Sequence, residues 1–148
     1  MDKKTLRKIK ELMKTKSIIG MEEIDRLVSP RKRREHILNY HFVKSPLGKI
    51  YRVSTVYIDY FSGMRPISGE QLKELDELIG YNIYKQPYET GVFPLDSDNN
   101  IFIAHYNTKE DALKGHRVVT GLILEEGIEK LNELNIADER PWWERYLK

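Results

Sequence analysis

The sequence predicts an α+β fold: a small antiparallel sheet of about three to four strands, a long C-terminal helix packed on it, and an N-terminal basic helical arm. Three observations support this prediction. Residues 50–60 are rich in β-branched and aromatic side chains, which favour a strand. Apolar residues follow the 3.6-residue period of a helix from Ala112 to Leu131. Residues 2–16 combine a narrow apolar stripe with many lysines, as in a surface helix.

The N-terminal arm is predicted to contain three short helices. The apolar stripe of the first helix, at 2–16, consists of Leu6, Ile9, Leu12 and Met13. A second short helix is predicted at 21–28. Ser29 and Pro30 are typical of a third helix start, with Ser as the N-cap and Pro at the first helical position. We expect this third helix to continue to about residue 39.

The strands are predicted from β-branched and aromatic runs that are bounded by turns. A first strand is predicted to begin at 40–43, before a turn with the sequence SPLG. Apolar residues occupy both faces of the strand at 50–60, which indicates a central position in the sheet. The remaining predicted elements are a helix at 69–79, a strand at 83–93 interrupted at Pro87, and a strand at 101–106.

The long helix has a recognisable start. Thr108 is predicted to cap it, with Asp111 three residues later in an approximate capping box. Gly121 and Gly127 each cost about 1 kcal/mol of helix propensity, so a kink or a break is expected at one of them.

The charge of the chain is divided unevenly between its two parts. The 148 residues carry a formal net charge of only +2. Residues 1–50 nevertheless hold 14 Lys/Arg against 6 Asp/Glu, whereas residues 51–148 hold 11 against 17. We divide the chain into a basic helical N-terminal arm, 1–44, and an α+β core domain, 45–148. The uneven charge either binds an anionic partner or holds the two parts together, and the sequence leaves both open.

Composition excludes several classes of protein. The chain has no cysteine, which excludes a disulfide framework, a thiolate zinc site and a cysteine nucleophile. Its apolar runs are far shorter than the roughly 20 residues that a membrane span needs, and no signal peptide is recognisable. Gly-rich phosphate loops and hydrolase motifs are absent. We expect a cytoplasmic protein with no membrane contact and no cofactor.

Three segments in order resemble small uncharacterised proteins of tailed bacteriophages. They are VSTVYID at 53–59, YETGVF at 88–93 and YNTKEDALKGH at 106–116. The chain departs from that pattern at Gly91, where relatives usually have Met, and at about 68–80, where a helical insertion replaces a short Gly-Pro-Pro loop. The basic arm is also outside the pattern. The resemblance implies a viral source and a place in the host-cell cytoplasm, but it carries no activity.

Asp59, Glu89 and His116 are the candidate catalytic residues, and all three lie in the matching segments. A carboxylate beside a histidine is a minimal acid–base pair and can also bind a divalent metal. The alternative is that His116, on an apolar helix face, is a core histidine held by a hydrogen bond, and that Gly115 serves close packing. The alternative is favoured, so an enzyme is the less expected class and no metal is predicted.

Clustered cations make the arm a candidate nucleic-acid or anion-binding site. The candidate residues are Lys3, Lys4, Arg7, Lys8, Arg31, Lys32, Arg33 and Arg34. Phosphate contacts need such clusters, and three short helices of which the third begins with four cations faintly suggest a helix-turn-helix. The alternatives are a solvated charged face and docking on the acidic part of the chain.

Two further features concern a loop and the C-terminus. Residues 96–100 share the acidic spacing of a calcium loop, but the expected Gly and Glu are absent, so a hairpin turn is predicted. Trp142 and Trp143 are candidate interface residues, against their own domain or against a second copy in a homodimer.

These features lead to two functional hypotheses. The first is a phage accessory protein of the host-takeover or anti-defence type, which binds a host or defence macromolecule or a signalling nucleotide. The alternative is a nucleic-acid-binding protein that uses the basic N-terminal helices.

Overall fold

The computed structural model describes residues 3–27, 37–57 and 87–133 of the chain. Within these ranges a five-stranded sheet follows chain order, and every neighbouring pair of strands is antiparallel. The strands are β1 (Ile18–Gly20), β2 (Ile37–Lys44), β3 (Ile50–Tyr57), β4 (Tyr88–Pro94) and β5 (Phe102–Tyr106). The α+β prediction is confirmed, with five strands in place of three to four. β1 was not predicted because three residues are too few to establish an alternation pattern.

The described helices lie at both ends of the chain. They are α1 (Lys3–Leu12), α2 (Met21–Leu27), α3 (Lys109–Glu125) and α4 (Glu129–Asn132). The predicted start of the long helix is confirmed, because the Thr108 side chain accepts a hydrogen bond from the backbone N–H of Asp111 at 3.1 Å. α3 continues through Gly121 and ends before Gly127, whose positive φ of 94° lets the chain turn. The predicted break therefore lies at the second glycine.

One face of the sheet packs against α3. Val53 lies opposite Val92 and Thr55 lies opposite Thr90, so these four residues share the face that the helix covers. The hydrophobic core between the sheet and α3 is made by Val43, Val53, Val92, Phe102, Ala104, Tyr106, Ala112, Val119 and Ile123. The prediction that β3 is a central strand is confirmed, since β2 and β4 flank it.

The opposite face of the sheet packs against α1. Ile9 and Met13, from the predicted apolar stripe, are buried against Ile19 of β1 and Phe42 of β2. Burying a side chain of this size contributes roughly 1.5–3 kcal/mol, so Ile9 in α1 and Met13, just after its end, both favour the packing of α1 on the sheet. α1 is thus anchored by apolar contacts.

The described part of the N-terminal arm contributes two strands to the sheet. β1 and β2 both fall within 1–44, and β2 pairs with β3 along its length. The prediction that the third helix continues to about residue 39 is wrong at its end, because β2 begins at Ile37. Aromatic and β-branched side chains from Ile37 to Val43 favour the strand, and pairing with β3 stabilises it.

Several predicted features lie outside the described residues. They are the start of the third helix, the insertion at about 68–80, Asp59, the cations at 31–34, and Trp142 and Trp143. Among the residues that are described, no helix has the length and apolar character needed to cross a membrane.

Candidate functional sites

A line of buried polar side chains crosses the contact between α3 and the sheet. The His116 side chain is fully buried, with an exposed fraction of 0%. Its Nδ1 lies 2.7 Å from Oγ1 of Thr55, which lies 2.6 Å from Oγ1 of Thr90. On the other side of the ring, Nε2 lies 2.8 Å from Nδ1 of His41. We refer to His41, His116, Thr55 and Thr90 as the buried polar network.

The strand register and the period of α3 assemble this network. Thr55 and Thr90 are direct cross-strand partners on the face that α3 covers. His116 comes four residues after Ala112, so the two lie on the same side of the helix and both are buried. Next to His116, Gly115 faces Tyr106, and a β carbon at this glycine would overlap the tyrosine ring and hydroxyl. The predicted role of Gly115 in close packing agrees with this contact.

Burial keeps both histidine rings uncharged at neutral pH. Desolvation, helped by the neighbouring His41 ring, lowers the pKa of His116 to about 3. Desolvation also lowers the pKa of His41. Because the two rings are neutral, one nitrogen of the 2.8 Å contact donates a hydrogen bond and the other accepts it. The network thus satisfies its members without burying a charge.

The outer end of the network reaches a groove of about 430 Å³. His41 is half-buried and lines this groove with Gly20, Met21, Glu22, Glu23, Arg26 and Asn39. At the inner end, burial raises the pKa of the Tyr106 hydroxyl far above its usual range, outweighing an interaction with Thr90 that lowers it. The inner end of the network therefore has no group that titrates near neutral pH and could exchange a proton taken up at His41. The network orients the His41 ring and joins α3 to the sheet.

The structure places two of the predicted catalytic residues, Glu89 and His116, apart. Glu89 precedes Thr90 in β4 and therefore points to the opposite face of the sheet from His116. There its carboxylate lies 3.1 Å from Nε2 of His105. Asp59 lies outside the described residues, and within the described ranges no group of three His, Asp or Glu side chains could hold a metal ion.

Sequence reasoning missed His41, the partner of His116. A signal for it existed, because His41 has the same parity as Val43 within the predicted strand and so shares the face with the core. The predicted hairpin turn at 96–100 is confirmed, since these residues connect the antiparallel strands β4 and β5. Arg52 donates hydrogen bonds there to the Ser97 carbonyl oxygen at 3.1 Å and to the Asp98 carboxylate at 3.3 Å.

The exposed side of α1 carries the predicted cations. Lys3, Arg7 and Lys10 are exposed and follow one another at i, i+4 and i+7, so they share one flank of the helix; we call these three residues the cationic flank. At 1.5 Å per residue they span about 10 Å along the helix axis. Lys4 and Lys8 lie on the other flank, which also holds Glu11.

Two lysines that follow α1 in the chain are each paired with a carboxylate. Lys14 contacts Glu11 at 2.9 Å and Lys16 contacts Glu23 at 2.7 Å. The apolar contacts of Ile9 and Met13 face the sheet and contribute to holding α1 in place. Tyr57, at the end of β3, is 39% exposed and its ring lies 5.2 Å from that of Tyr88.

No protein-family model, no curated protein and no solved structure matches the chain. The resemblance of the three segments to tailed-phage proteins stays a prediction.

Proposed function

We propose that this protein binds nucleic acid through the cationic flank of α1. In this proposal it is an accessory protein of the tailed-phage type and acts in the cytoplasm of the host cell. It works by binding and not by catalysis. The observation that carries the proposal is the way α1 is held: its apolar stripe is buried on the sheet, which leaves Lys3, Arg7 and Lys10 directed at solvent.

Because α1 is anchored on the sheet, the three cations of the cationic flank have fixed positions along the helix axis. Three positive charges spaced over about 10 Å on a rigid helix match a repeating anion better than the same charges on a mobile segment would. Lysine and arginine contacts to phosphates release counterions, which is the main source of affinity in sequence-independent binding. A nucleic-acid strand supplies such a repeat, whereas a signalling nucleotide supplies only one to three phosphates.

Features of the buried polar network favour binding over catalysis. His116 is fully enclosed and cannot contact a substrate, and Glu89 lies across the sheet from it. A general acid or base has to reach the proton that it transfers. His41 is the member of the network that lines the groove, and among the described residues around it there is no Ser or Thr nucleophile.

The test is the salt dependence of oligonucleotide binding, measured by fluorescence anisotropy between 50 and 200 mM salt. The triple variant Lys3→Gln, Arg7→Gln, Lys10→Gln removes the cationic flank. Each lost contact to a single strand lowers the slope of log K against log salt by about 0.7, so the variant should lose about 2. The matched control is Lys14→Gln with Lys16→Gln, two cations that already contact carboxylates. Its slope should stay close to that of the wild type.

Two results of this experiment would contradict the proposal, each at a different point. A slope that does not change in the triple variant removes the cationic flank from the interface. Substitution of Arg31–Arg34 by Ser then tests whether the other predicted cations carry the binding. Failure of the wild type to bind any oligonucleotide refutes the nucleic-acid proposal, and saturable binding of a signalling dinucleotide or a host protein would replace it.

A further inference from the structure

An apolar groove continues the cationic flank at the end of the sheet. Lys10, the last residue of the flank, lines a groove of about 530 Å³ that lies between α1 and the turns of the two hairpins. Lys49, on the β2–β3 turn, is a second exposed cation at its rim. The groove and the flank therefore form one continuous surface through Lys10.

The floor of this groove is apolar. It is formed by Ile50, Tyr51, Pro94, Leu95 and Ile101. Ile101 has 41% of its surface exposed, so its side chain is accessible from the groove. Among the described residues that line the groove, Asp96 is the one carboxylate. Because Asp96 repels a phosphate and the described floor residues carry no cation, the floor suits an uncharged group whose attached phosphates remain on the rim.

We propose that this groove takes one nucleobase of a single-stranded nucleic acid whose phosphates lie along the cationic flank and Lys49. This inference rests on the function proposed above and specifies the form of nucleic acid. Bases in a duplex are paired and stacked, so reaching the groove would require flipping a base out at additional cost. A single strand presents its bases freely, and apolar contact to a base face does not depend on sequence. The protein therefore prefers single strands and shows little sequence preference.

The experiment compares three probes of equal length with the full chain: an oligothymidylate, an abasic oligonucleotide of the same charge, and a duplex. The wild type should bind the oligothymidylate at least about fivefold more tightly than the abasic probe at the same salt concentration. Ile101→Ser should remove most of that preference and leave the salt slope unchanged. Leu47→Ser is the matched control, since Leu47 is 84% exposed on the β2–β3 turn but does not line the groove.

The outcomes separate the inference from the proposed function. Equal affinity for the abasic and base-carrying probes, with a normal salt slope, refutes the base site and leaves nucleic-acid binding intact. Tighter binding of the duplex, or an Ile101→Ser variant that keeps the full preference, also refutes the base site. If none of the three probes binds, both the inference and the proposed function fail.

Discussion

Acid should destabilise the fold through His116. The pKa of this ring falls from 6.5 to about 3 on folding, because burial penalises its charged form. Between these values the unfolded chain takes up a proton that the folded chain refuses, so the free energy of unfolding decreases as the pH falls below about 6.5. The contribution is fully present above pH 6.5 and continues to decrease until about pH 3. His41, whose pKa is also lowered, acts in the same direction.

The size of the effect follows from the two pKa values. Each pKa unit corresponds to about 1.4 kcal/mol, so lowering the pH from 7.5 to 5 should cost about 2 kcal/mol at His116 alone. This is a large share of the roughly 5–15 kcal/mol that stabilises a typical domain. Urea denaturation followed by circular dichroism at pH 7.5, 6.5, 5.5 and 5.0 measures the free energy of unfolding directly.

A His116→Gln variant separates this ring from other titrating groups. The variant keeps a polar side chain but has no proton to bind, so its loss between pH 7.5 and 5 should be about 2 kcal/mol smaller than that of the wild type. His105→Gln, on the opposite face of the sheet, is the control and should keep the His116 contribution. Identical pH dependence in the wild type and His116→Gln would refute the reasoning.

Three further predictions concern buried positions. Gly115→Ala forces a β carbon against the Tyr106 ring and should lower the free energy of unfolding by about 1–3 kcal/mol. The control Gly121→Ala lies in the same helix with no neighbouring atom in the way and should raise the free energy of unfolding by up to about 1 kcal/mol; equal effects of the two substitutions would contradict the close approach. Thr55→Val leaves the partners of its hydroxyl unsatisfied and should cost about 1–3 kcal/mol, more than Thr55→Ser, in thermal or urea denaturation. Ile9→Ala should cost about 2–5 kcal/mol by urea denaturation; no loss would mean that α1 is not anchored by its apolar stripe.

Local patterns were sufficient for some elements of the fold. The alternation in β3 and the capped, periodic start of α3 each lie within a dozen residues, so the sequence predicts both and the structure confirms them. β1 and the first residues of β2 depend on pairing with distant strands. β1 has three residues, and Ile37 is the only β-branched residue among the first three of β2, which is too little to establish a strand pattern, so the helix start signal upstream favoured a helix to about residue 39.

The same distinction applies to the candidate sites. Sequence identified His116 and the apolar stripe of α1, because each belongs to a periodic segment. It did not join His116 to His41, which is 75 residues away and meets it only through the register of the sheet. It also grouped Glu89 with His116, although strand alternation places the two on opposite faces. Three-dimensional register was the missing information in both cases.

Oligonucleotide affinity as a function of salt tests the central claim most directly. If three phosphates are neutralised by the cationic flank, the affinity of the wild type for a single strand should fall at least roughly twentyfold between 50 and 200 mM salt. The Lys3→Gln, Arg7→Gln, Lys10→Gln variant should lose that contribution while the Lys14→Gln, Lys16→Gln control retains it. A wild-type affinity that is independent of salt, or a flank variant as salt-dependent as the wild type, would contradict the account.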